Sequence, residues 1–145
     1  MRRTLAVASV AVLVAGCGSE RDQSLPAACT YGPGAVVKAL AKAPAPVTIG
    51  GTRISDCFVR GANGDALQIL GTTLLAAAQQ LGDRARSGDE QAAMRLGYLI
   101  GAAHRGAAHN GLAAEMIRRL DSETRTLGRM RPAFQRGLRA GSHQG

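Results

Sequence analysis

The spacing of apolar residues changes character along this chain, and each change predicts an element. Met1-Arg2-Arg3 leads into a predominantly apolar run of ten residues, Leu5 to Val14. Residues 18–28, GSERDQSLPAA, are polar and carry a proline, the composition of a linking segment. Pro33 suits the first turn of a short helix through Val36, Val37 and Leu40, which Pro44 ends. β-Branched residues then flank Gly50-Gly51 in Val47-Thr48-Ile49-Gly50-Gly51-Thr52-Arg53-Ile54, the pattern of a two-residue hairpin.

Beyond that point the period becomes helical. Leu67, Leu70, Leu74, Ala78, Leu81 and Ala85 recur every three or four residues and predict a helix over 64–86, with Asn63 as its N-cap. Ser87-Gly88-Asp89-Glu90 reads as a capping box, Ser87 capping and Glu90 reaching back, which opens a helix over 88–109. Asn110-Gly111 breaks it, and Leu112, Met116, Ile117, Leu120, Leu127 and Met130 form the face of a further helix. Pro132 is expected to kink or end that helix, and residues 141–145 to fray into a disordered tail.

The expected fold is therefore mainly α. Residues 29–140 form one small antiparallel bundle of three long helices plus a short N-terminal one, with a short disulfide-held β-hairpin. Aromatic residues are only 3% and tryptophan is absent, so Leu, Ile, Val, Met and Ala must build the core. The same scarcity argues against surfaces that stack sugars or single-stranded bases.

The N-terminal pattern bears on location. A membrane span needs about 20 apolar residues, so the run to Val14 is too short. A basic start, a short apolar stretch and small residues before a cut form a secretory signal. Val14-Ala15-Gly16-Cys17 resembles the lipobox of bacterial lipoproteins: an aliphatic residue, two small ones, then cysteine. The resemblance covers the first seventeen residues and departs mildly at Val14, where leucine is commoner. It implies that residues 1–16 are removed as a signal peptide and that the Cys17 thiol receives a diacylglyceryl group by thioether linkage. Residues 17–28 then tether an extracytoplasmic domain to the cell membrane, and stable anchoring follows from more than one acyl chain.

Three cysteines are an odd number for an exported chain. Assigning Cys17 to lipid leaves Cys29 and Cys57, and an oxidising compartment favours a disulfide between them over free thiols or a metal pair. Closing that loop contributes roughly 3–4 kcal/mol in the chain-entropy account.

Charge raises the remaining candidates. The net charge is +8 and the isoelectric point about 10.7. An extracytoplasmic location removes nucleic acid as a partner and leaves anionic lipid or envelope polymer, or an envelope protein. On the helix over 88–109, Arg95, Tyr98, Arg105 and His109 fall within an arc of roughly 80°, either a solvated face or an anion-binding one. Arg118, Arg125 and Arg129 form a second stripe within roughly 40°, with Asp121 spaced to pair with Arg118 and Arg125. Gly97 and Gly101 make a small-residue seam that a neighbouring helix can approach closely. The spacing matches that of paired membrane helices, but Arg95, His104 and Arg105 exclude a span.

Catalytic signatures are missing. The chain has no Gly-x-Ser-x-Gly elbow, no His-Glu-x-x-His and no phosphate-cradling glycine loop. His104 and His109 are five apart and cannot chelate one metal from one helix face. No cofactor or metal is expected. The sequence thus favours a non-catalytic binding or scaffolding module on a lipid anchor, ahead of an Arg-rich module for anionic lipid or polymer. A small hydrolase with a convergent site, such as Glu115 beside His104, comes third.

Overall fold

A computed structural model describes residues 24–58, 64–108 and 111–145. Its elements are α1 (Pro33–Ala39), a β-hairpin of β1 (Thr48–Ile49) and β2 (Thr52–Arg53), then α2 (Gly64–Arg86), α3 (Glu90–Ala107), α4 (Ala114–Ser122) and α5 (Arg131–Gln144). Single 3-10 turns at Ala27–Thr30, Leu40–Lys42, Ile54–Cys57, Gly111–Ala113 and Gly128–Met130 link them. The three long helices are α2, α3 and α5.

The N-terminal third follows local chemistry. Pro33 stands in the first turn of α1, where its missing N–H is no loss. The hairpin pairs Thr48 with Arg53 and Ile49 with Thr52. Its turn places Gly50 at φ 53° and Gly51 at φ 88°, the left-handed pair that a two-residue hairpin requires. Two strands of this length do not hold alone in water. Val47, Ile49 and Ile54 anchor the hairpin in the core, and the Cys29–Cys57 disulfide, with Cα atoms 5.7 Å apart, ties its exit to the start of the domain.

α2 has the bounds its apolar period predicts, while Asn63, the expected cap, lies outside the described residues. The α2–α3 junction differs from expectation. Ser87 does not cap α3; its hydroxyl donates to the Arg84 carbonyl in the last turn of α2. Gly88, at φ 103°, lets the chain turn back, with Gly88 N–H bonding Ala85 and Asp89 N–H bonding Arg84. This is a Schellman ending, and it consumes the residues that a capping box would need. Asp89 caps α3 instead, its Oδ1 accepting from the Ala92 N–H at 2.9 Å.

The helix expected through Leu112–Met130 is divided. α4 stops at Ser122, where the Ser122 hydroxyl donates to Arg119 and the Thr124 hydroxyl to Asp121. Such side-chain bonds offer the backbone an alternative to the helical ladder. Pro132 does not end a helix but sits in the first turn of α5, the same use the chain makes of Pro33. Nor does the tail fray after Gly141. α5 continues to Gln144, Gly141 and Gly145 are buried, and the Gly145 carbonyl accepts from the Ser55 hydroxyl at 2.6 Å.

α3 is the central helix. Every residue from Leu96 to Ala103 is buried, because α2, α5, α4 and the Ile54–Cys57 turn surround it. Its closest neighbour is α5, which runs parallel to it, α4 having carried the chain back between them. A Cβ on Gly97 would meet Phe134 and Leu138 backbone, and one on Gly101 would meet Leu138 and Ser142. From the other side, Gly137 faces Met94 and Tyr98, and Gly141 faces Tyr98 and Ala102.

Candidate functional site

The seam of Gly97 and Gly101 is a packing surface, and its partner is a second series, Gly137, Gly141 and Gly145. A Cβ on Gly137 would lie 1.9 Å from the Met94 carbonyl oxygen, and one on Gly141 would lie 2.1 Å from that of Tyr98. The two backbones therefore touch with no side chain between them. Both glycine series have a spacing of four and are visible in the sequence; what the sequence conceals is that they meet. The contact leaves α5 held by one face, with its other side open.

The first expected arginine stripe does not assemble. Tyr98 is fully buried, and its hydroxyl accepts a hydrogen bond from the Val47 N–H at 3.0 Å. It serves the hairpin, not a ligand. Arg95 is half-buried, and its Nε is buried without a hydrogen-bond partner among the described residues. Arg105 is exposed and donates to the carbonyls of Ser142 and His143 at the end of α5. A cation there also suits the negative end of the helix dipole. His109 lies outside the described residues, as does Cys17.

The second stripe is dispersed by the break after α4. Arg118 pairs with Glu115 one turn before it, and Arg125 lies beyond the helix end. Arg129 reaches toward Gly88 at the α2–α3 junction. Asp121 does not pair with Arg118 or Arg125; it takes His104, with Nε2 and Oδ1 2.8 Å apart, and so links α4 to α3.

A cleft of about 360 Å³ opens between α2 and α4. Leu67, Gly71, Leu75 and Met116 form its apolar lining, and Glu115 and Arg119 stand among its polar residues. Glu115 binds both Arg118 and Arg119, the latter through Nε at 2.9 Å. The Thr72 hydroxyl donates to the Gln68 carbonyl at 2.9 Å. Among the described residues, the one carboxylate lining the cleft is thus held by two guanidiniums, and the one hydroxyl is turned to the backbone. Glu115 and His104, paired in the hydrolase reading, have different partners. Among the described residues no group of three His, Cys, Asp or Glu is placed to hold a metal ion.

Comparison with family models, with curated proteins and with solved structures found no match. Among the described residues no helix is long and apolar enough to cross a membrane.

Proposed function

We propose that this protein is a lipid-anchored, extracytoplasmic lipoprotein of a bacterial envelope whose helical domain binds or scaffolds rather than catalyses. The observation that carries the reading is the Cys29–Cys57 disulfide. A buried disulfide belongs to an oxidising compartment. Its formation leaves Cys17, at the end of the lipobox-like Val14-Ala15-Gly16-Cys17, as the one cysteine free for acylation. The scaffolding half draws support from the cleft, where the carboxylate and the hydroxyl are both engaged and no base stands beside a nucleophile.

Cell fractionation tests the anchor. The wild-type chain is expected in the membrane fraction, and Cys17→Ser is expected to abolish acylation and release the protein from stable membrane attachment. Wild-type protein recovered in a soluble fraction would overturn the reading.

A further inference from the structure

We propose that the outward face of α5, bearing Arg131, Arg136 and Arg139, is the surface by which the anchored domain lies on anionic phospholipid headgroups. The inference rests on the lipid-anchor reading and adds which side of the domain meets the bilayer.

Charge is the first support. From Thr124 to Gly145 the sequence contains five arginines and no Asp or Glu. On α5 the buried residues Ala133, Phe134, Gly137 and Gly141 occupy an arc of about 100°. Arg131, Arg139 and Arg136 span about 140° on the opposite side, all exposed. Arg136 binds Glu90, while Arg131 and Arg139 have no ion-pair partner among the described residues. The face is therefore basic, with a single carboxylate at its margin, and guanidinium forks match phosphate oxygens.

The path of the chain is the second support. Ser24, the first described residue, follows Cys17 by seven residues, a separation of at most about 25 Å. Ser24 leads to Cys29, which is bonded to Cys57, and Ser55 of the same turn bonds Gly145 at 2.6 Å. Cys29, five residues after Ser24, thus lies at the end of the bundle where α5 terminates. α5 is about 21 Å long, so the permitted reach lets its whole outward face lie along the membrane that holds the lipid.

The glycine contact is the third. Because α5 is fixed to α3 by its backbone, its outer half is not needed for packing, and beyond Pro132 in its first turn it carries no large exposed apolar side chain to insert. This chemistry is that of electrostatic docking at headgroup level, where each arginine contributes about fivefold in binding.

The test uses the complete acylated protein extracted from membranes and reconstituted in vesicles of phosphatidylcholine, alone or with phosphatidylglycerol. A fluorophore at Gln135→Cys, within the face, is compared with one at Gln80→Cys on the exposed side of α2, against a headgroup-linked nitroxide quencher. The buried Cys29–Cys57 bond does not react with the label. Quenching is expected at Gln135→Cys with phosphatidylglycerol, not at Gln80→Cys, and is expected to be lost in high salt. Arg131→Gln with Arg139→Gln should lower the docked-to-free ratio about 25-fold; the salt series gives the same answer without a substitution. Equal quenching at both positions, or quenching independent of phosphatidylglycerol and salt, overturns the proposal. So does a Gln135→Cys label that responds to soluble polyphosphate but not to the vesicles, which assigns the face to a polymer. The mass of the same sample separates the two claims: an unacylated Cys17 defeats the anchor reading and this inference together. Acylated protein with an unquenched Gln135→Cys label defeats this inference alone.

Discussion

Gly137 and Gly34 are both helical, yet alanine should act on them in opposite directions. At Gly137 the new methyl would lie 1.9 Å from the Met94 carbonyl, whereas at Gly34 nothing stands within 4 Å. Alanine gains about 1 kcal/mol over glycine in a helix, and overpacking of a close contact costs about 1–3 kcal/mol or more. Gly137→Ala is therefore expected to lower the denaturant midpoint, and Gly34→Ala, in the first turn of α1, to leave it unchanged or raise it. A neutral Gly137→Ala would mean that α3 and α5 are not in backbone contact. Tyr98 makes a second residue-scale case. Tyr98→Phe leaves the buried Val47 N–H without its acceptor and is expected to cost about 1–3 kcal/mol in urea unfolding. A helical wheel cannot foresee this, because by angle alone it places Tyr98 beside Arg95 and Arg105. The partner that buries the hydroxyl lies fifty-one residues away in the hairpin.

Elements whose signals are local were legible, and those whose signals compete were not. The apolar period gives α2 its bounds, and Gly50-Gly51 gives the hairpin turn, since each depends on residues within a few positions. The stretch Ser87–Glu90 satisfies two rules at once, a cap for the next helix and a left-handed exit from the last. Gly88 decides in favour of the exit and hands the cap to Asp89. Asp89→Ala is expected to cost about 1 kcal/mol and Ser87→Ala much less, a contrast that thermal unfolding of the two variants reads directly. Pro132 posed a similar ambiguity, because a proline that breaks one helix is equally suited to begin another. The disulfide acts at this scale too. It closes a separation of 28 residues, and its reduction is expected to remove about 3.5 kcal/mol, chiefly by freeing the unfolded chain. Unchanged stability after reduction would contradict that account.

For the molecule as a whole, the fold class was readable from periodicity, while the arrangement was not. That α3 and α5 run parallel depends on two glycine series about forty residues apart, a pairing that no local window contains. The candidate site was less legible still. Both arginine stripes rest on uninterrupted helices with one open side, but Tyr98 is buried in the first, and in the second the helix ends at Ser122, before Arg125 and Arg129. What replaces them is the basic side of α5, visible once its glycines are known to face inward.

The central claim is that Cys17 carries lipid while Cys29 and Cys57 carry the disulfide, and intact mass spectrometry of the protein extracted from bacterial membranes tests it most directly. The account predicts a chain that begins at Cys17, bears a diacylglyceryl group there, and gains the mass of two hydrogen atoms when the disulfide is reduced. A chain with an unmodified Cys17, or one cut at another position, would contradict it.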